Sequence, residues 1–190
     1  MDKVEFRRQV FHLVSGIVLT LLLYFGVISR FHMLVFIPIS ILISIFSIWY
    51  RLPFFAFMLE KFDRKTSLIP GQGAITFLIG SVAALYLFEK NIAYASILIL
   101  SLGDSVAPIV GINYGRRRMW FNKKRYLEGM IAGFVASALA ASIFVPFIDA
   151  FIASFLAMLI ETIEVTLFNR HLDDNLYLPV VAGVVLSFLK

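Results

Sequence analysis

Seven stretches of fourteen to twenty-one mostly apolar residues run through this chain, and they decide what it can fold into. About 20 such residues make a helix that crosses the hydrocarbon core of a bilayer. Inside that core every backbone N–H and C=O must be satisfied within the segment, which leaves helices or closed barrels. The stretches are Val10–Ile28, Phe31–Tyr50, Leu68–Phe88, Asn91–Gly111, Glu128–Ile148, Ala150–Phe168 and the shorter Leu176–Leu189. They predict an all-α fold: a polytopic transmembrane helix bundle of about seven spans, in one domain over 1–190. Between the second and third stretches lies an apolar patch, Leu52–Leu59, followed by Glu60, Lys61, Asp63, Arg64 and Lys65. That patch is too short to span and belongs at the membrane interface.

Charge sets the orientation. The chain is 61% hydrophobic and 15% charged, against about 25% charged in a soluble domain. Its net charge of +5 reports topology and contact with anionic headgroups, rather than nucleic acid. With seven spans, fourteen of the Lys and Arg residues fall on the side of the N-terminus and three on the other. Basic loops stay inside, so the N-terminus is expected in the cytoplasm. The basic start followed by an apolar run resembles a leader, but no small-residue cleavage site follows, so the first helix is expected to be retained. The expected location is the cell membrane, or the endoplasmic reticulum membrane in a eukaryote. There are no cysteines, which excludes a disulfide framework, a Cys-ligated metal and a thiol nucleophile.

Ionisable groups within spans cost on the order of 3 kcal/mol each, so those present need a reason. Under this topology they converge on the cytoplasmic ends of the helices. Glu5, Arg7, Arg8 and His12 open the first span, Asp104 lies in the fourth, Glu161 and Glu164 end the sixth, and Asp173, Asp174 and Asn175 follow. Glu5, Arg8 and His12 share a helical face, as do Glu161 and Glu164. Several carboxylates presented to one point suit magnesium, which takes one or two of them plus substrate phosphates. Gly103 permits close approach beside Asp104, and Pro108 removes the N–H that would bond the Asp104 carbonyl, so the fourth helix is expected to break or kink there. Gly111 and Gly115, at a four-residue spacing, suit either a helix contact or a phosphate cradle next to the basic residues Arg116–Arg118 and Lys123–Arg125.

Taken together these segments resemble the dolichol kinase and phytol kinase family of CTP-dependent membrane lipid kinases. GDSVAPIVGINYG (Gly103–Gly115) is similar to that family's Gly-Asp-x-x-Ala-x-x-x-Gly-x-x-x-Gly element, and RYLEGMIAG (Arg125–Gly133) to its Lys-Ser/Thr-x-Glu-Gly element. EFRRQVFH (Glu5–His12), ETIE (Glu161–Glu164) and DDNLYLPV (Asp173–Val180) resemble its N-terminal and late acidic elements. Arg125 and Tyr126 stand where the family has Lys and a small hydroxyl residue, and Tyr cannot replace the latter in a tight site.

The resemblance implies transfer of the γ-phosphate of CTP to a polyprenol-type alcohol in the bilayer: dolichol, geranylgeraniol or phytol. It implies Asp104, Glu161, Glu164, Asp173 and Asp174 as catalytic carboxylates, with Mg2+ at Asp104, Glu164 and Asp174. Arg7, Arg8, His12, Gly103, Gly111, Gly115, Lys123, Lys124, Arg125 and Asn175 would surround the nucleotide and its phosphates, and Glu128 would orient a cation. The neighbouring enzymatic readings are a CTP-dependent diacylglycerol kinase and a cytidylyltransferase that forms a CDP-lipid. The Pro-Gly-His-Gly-Gly signature of the latter is not visible. A small membrane transporter is the non-enzyme reading; it would place charge near the midplane, often in repeats, and neither pattern is evident.

Overall fold

A computed structural model describes residues 1, 3–50, 53–63, 67–163, 166–167 and 170–190. Among the described residues the fold is eight helices and one two-residue strand pair. The helices are α1 (Lys3–Tyr24), α2 (Arg30–Trp49), α3 (Pro53–Phe62), α4 (Gln72–Leu87), α5 (Lys90–Tyr114), α6 (Leu127–Ala141), α7 (Phe147–Ile163) and α8 (Asp174–Leu189). The antiparallel pair β1 (Thr166–Leu167) and β2 (Arg170–His171) lies between α7 and α8; β1 falls inside what the sequence reads as the end of the sixth span, and β2 follows it.

Helices α1, α2 and α5 are long and apolar enough to cross a membrane, which marks the chain as an integral membrane protein. Helices α4, α6 and α8 are apolar but shorter. The expected first, fifth and sixth stretches differ most from the structure; α1 begins at Lys3, seven residues before the expected start. Helix α6 stops at Ala141, seven residues before the expected end, and the chain turns through Ser142–Pro146. Pro146 then precedes α7, in the place where a missing N–H costs a helix nothing. The apolar patch between the second and third stretches forms a separate short helix, α3.

Local signals explain the other boundaries. Ser29 and His32 form a reciprocal cap on α2: the Ser29 hydroxyl accepts the His32 N–H, and His32 Nδ1 accepts the Ser29 N–H at 3.0 Å. The start of α4 is set by Gly71, held at φ 71°, a left-handed conformation that favours glycine. Asp63 secures this turn, accepting from the Gly71 N–H at 2.9 Å and the Ser67 hydroxyl at 3.0 Å, and so fastens the end of α3 to the entry of α4.

Helix α5 is the axis of the bundle and packs against α1, α4, α6, α7 and α8. Of its apolar window 67% is buried, against 22% for α1 and 11% for α2. The outer faces of α1 and α2 instead expose Val14, Val18, Leu21, Leu42, Phe46 and Trp49. A soluble surface this apolar would aggregate; lipid is its solvent. The expected break in α5 is absent. The helix runs uninterrupted past Pro108. Its tightest partner is α6, through a seam of small residues at four-residue spacing. Gly103, Ala107 and Gly111 of α5 face Gly129 and Gly133 of α6. A Cβ at Gly133 would lie 2.8 Å from the Gly103 carbonyl oxygen, so the backbones meet only because it is missing. At Gly111 the helix-contact reading holds: the nearest neighbour of an added Cβ is the Gly129 Cα at 3.4 Å.

Gly133→Val is expected to destabilise the protein by about 1–3 kcal/mol or more through overpacking. Gly26→Ala, at another left-handed glycine with open space around it, is expected to cost only about 1 kcal/mol. Thermal unfolding in detergent measures both, and an equal response would show that the seam carries no special constraint.

Candidate active site

Three helices each bring one carboxylate to the same point. Asp104 comes from α5, Glu161 from the last turn of α7 and Asp174 from the first turn of α8, and one oxygen of each lies within 4.8 Å of the others. Asp104 and Glu161 are buried; Glu161 is 1% exposed. Three ionised carboxylates in so small a volume repel one another strongly unless cations answer them.

Arg125 is one such answer. Its Nη1 stands 2.6 Å from Glu161 Oε1 and its Nη2 3.9 Å from Asp174 Oδ2. The loop before α6 presents it. This basic loop folds back on itself as a narrow hairpin; Arg116, Arg117, Arg118, Lys123 and Lys124 stay exposed, and Arg125 turns inward. The Met119 N–H donates to the Arg125 carbonyl and the Leu127 N–H to the Arg117 carbonyl, both at 2.9 Å. The Arg118 guanidinium lies over the Tyr126 ring, 5.5 Å from its centre. Asn122 Nδ2 donates to the Thr162 carbonyl at 2.9 Å and so fastens the hairpin to the end of α7. Glu128 accepts the Arg117 N–H with both oxygens, at 3.1 and 3.2 Å. It thereby holds the hairpin closed, beside the charge of Arg117.

On the other side of Asp104 is α1. His12 Nε2 stands 3.8 Å from Asp104 Oδ2, and the His12 ring packs edge-on against Phe77. Two turns earlier, Glu5 accepts from Arg8 Nη2 at 2.6 Å and from Gln9 Nε2 at 2.8 Å. Gln9 is buried, and the sequence reading overlooked it. Its position four residues after Glu5 placed it on the same helical face, which was the available signal.

Two cavities meet here. A polar one of about 270 Å³ is lined by Glu5, Lys124, Arg125, Tyr126, Glu161 and Asp174, with Pro108 and Gly111 in its wall. A larger one of about 460 Å³ is bounded mainly by apolar residues of α1–α4, among them Phe11, Ile43, Phe54, Met58, Phe62 and Phe77. Arg8, Gln9 and Asp104 line both. Asp104 is thus the carboxylate on the wall shared by a charged chamber and an oily one.

Not every expected residue reaches this centre. Arg7 lines a separate surface depression with Met1, Lys3, Phe6 and Asn113. Asp173 caps α8, accepting the Asn175 N–H at 3.2 Å. Gly103 makes room for Met158 of α7, and Gly115 for the Tyr126 ring. The Lys123 carbonyl accepts from Arg118 Nη1 at 3.1 Å within the hairpin. Asn175 lines the apolar cavity. Glu164 lies outside the described residues.

Fold and site together define an integral membrane protein with a buried carboxylate–arginine centre at one end of its helices. The chain belongs to the family of the uncharacterized protein MJ1137 of Methanocaldococcus jannaschii, to which it is 30% identical over 96% of its own length and 93% of that protein's. It is also a distant, partial homologue of CTP-dependent diacylglycerol kinase 1. It is 29% identical to the Saccharomyces cerevisiae kinase over 143 residues, which cover 70% of this chain and 48% of the kinase. It is 32% identical to the Eremothecium gossypii kinase over 72 residues, covering 38% of this chain and 23% of that one. The chain therefore spans about half the length of the first kinase and a quarter of the second. No family model and no solved structure matches it.

Arg125→Met strands Glu161 as a buried, uncompensated charge and is expected to cost about 3–5 kcal/mol. Adding Glu161→Gln should restore most of that loss. A double-mutant cycle on thermal unfolding reads the coupling, and additive losses would mean that the two groups do not depend on each other.

Proposed function

We propose that this chain is a CTP-dependent lipid-alcohol kinase. One observation carries the reading: a polar chamber with cations and carboxylates and an apolar chamber open to a chain-like ligand share Asp104 as common wall. A kinase for a membrane alcohol needs that arrangement, because its two substrates come from water and from lipid. The distant homology to CTP-dependent diacylglycerol kinases supports CTP as donor.

The triphosphate occupies the polar chamber, where Arg8, Lys124 and Arg125 face its oxygens. The alcohol enters the apolar chamber sideways from the bilayer, its hydroxyl reaching Asp104. Asp104 accepts the hydroxyl proton as the alcohol oxygen attacks the γ-phosphorus. A new O–P bond forms, the bond from phosphorus to the bridging oxygen breaks, and CDP leaves with that electron pair. Such transfers depend on positioning and charge more than on covalent chemistry. The donor set formed by Asp104, Glu161 and Asp174 is all carboxylate oxygen, which fits Mg2+. Bound there, magnesium would supply neutralising charge to the phosphates. Arg125 keeps Glu161 and Asp174 oriented toward this point. Seven spans, with α3 at the interface and the N-terminus in the cytoplasm, would place the polar chamber on the side where CTP is found.

The acceptor is of the polyprenol type, the substrate class that the segment pattern implies. Diacylglycerol is the second reading, favoured by the names of the two fungal relatives. The assay is the purified protein in detergent with magnesium, CTP and each alcohol in turn, with nucleotide products separated. CDP together with a lipid phosphate is the expected result. Pyrophosphate with a CDP-lipid, when a lipid phosphate replaces the alcohol, would mean a cytidylyltransferase, and no turnover with any nucleotide would favour transport. Asp104→Asn should fold normally, yet lose about 10²–10⁴-fold in rate; wild-type turnover in that variant would remove Asp104 from the chemistry. Chelation of divalent cations should abolish turnover, and magnesium should restore it.

A further inference from the structure

Asn175 is held on every side but one. Its backbone N–H donates to Asp173 Oδ1 at 3.2 Å and to Asp174 Oδ1 at 3.1 Å. Its backbone carbonyl sits against Gly80 of α4, where any side chain would collide with it. Its side-chain Nδ2 points to the Gly73 carbonyl at 3.5 Å, which sets the direction of the amide. The residue is only 5% exposed, so the other end of the amide cannot turn to water. That end, Oδ1, is buried with no donor among the described residues. A buried acceptor left unpaired carries a desolvation cost, so such an atom marks a place where a donor is missing.

The surroundings say what kind of donor. Asn175 lines the apolar chamber, and so does Asp104. Three other polar groups in that lining are already committed: the Ser40, Ser44 and Ser47 hydroxyls donate to the carbonyls of Ile37, Pro70 and Ile43. Phosphate oxygens are acceptors and gain nothing from Oδ1. A hydroxyl at the end of a hydrocarbon chain supplies the missing O–H.

We propose that Asn175 is the specificity-determining residue for the acceptor: its Oδ1 takes the hydrogen bond of the lipid alcohol's free hydroxyl as the alcohol docks, and that hydrogen turns to Asp104, in the same chamber, when the oxygen attacks. This moves Asn175 from the nucleotide to the lipid, and it rests on the kinase reading for the meaning of the bound alcohol. A site built around a substrate hydroxyl rejects analogues that lack it, because its own polar atom is then left unpaired.

The test is binding to the full chain in detergent, read as displacement of a fluorescent long-chain alcohol by a geranylgeranyl alcohol or by its methyl ether. The ether keeps the oxygen but has no O–H to donate. The wild type should prefer the alcohol by about tenfold or more. Asn175→Ala should bring the two within about twofold, with CTP affinity unchanged. A preference that survives in Asn175→Ala overturns the proposal, as does a loss of CTP affinity with the preference intact. Should Asn175→Ala fail to fold, Asn175→Asp carries the test, being isosteric and still an acceptor. It keeps the preference if Oδ1 reads the alcohol, and a loss of the preference in a folded Asn175→Asp overturns the proposal. Because binding is read without turnover, the two readings fail separately. A wild type that prefers the alcohol but transfers no phosphate removes the kinase and leaves the Asn175 assignment. Turnover without the preference removes Asn175 alone.

Discussion

Three carboxylates crowded within 4.8 Å, two of them buried, are the arrangement to which the rest of the bundle answers. In a chain this apolar, such a cluster stands only where cations and packing compensate it. Compensation comes from two directions. The hairpin before α6 inserts Arg125 between Glu161 and Asp174, and α1 brings Arg8 and His12 to the other side of Asp104. The carboxylates themselves meet because α5, α7 and α8 converge, and α5 can occupy the middle only because glycine and alanine let α6 lie against it. Small residues in the seam and large charges at its end are therefore parts of one arrangement.

Much of this was legible in the sequence. The apolar runs located α1, α2 and α5 to within a few residues at most ends, apart from the start of α1. The rarity of acids in those runs singled out Asp104 and Glu161, since an ionisable group inside a span is costly enough to need a reason. The helix ends between α6 and α7 were hidden because Ser142–Pro146 is as apolar as the helices beside it. Hydropathy does not register a turn there; Pro146 was the only mark. Pro108, by contrast, marks no helix end. A proline leaves one carbonyl unbonded, and α5 absorbs that without interruption.

The arrangement of the basic loop could not be read from composition. Six cations between 116 and 125 look like a surface feature, and only backbone pairing across the hairpin turns one of them inward. Gln9 was passed over because a lone amide carries no chemical signature in a sequence; its importance comes from the two cavities that it borders. The partition into a charged and an oily chamber likewise depends on how α1 lies across α5, a property of packing and not of any one segment.

That partition follows the order of the chain. Apart from Asp104 and Asn175, every residue lining the oily chamber comes before position 78. Apart from Glu5, Arg8 and Gln9, every residue lining the charged chamber comes at or after position 104. The two halves of the polypeptide are thus free to diverge at different speeds. Exchanges among the phenylalanines and methionine of α1, α3 and α4 reshape one cavity without approaching the carboxylates. One cavity can in this way change its shape while the lining of the other stays as it is.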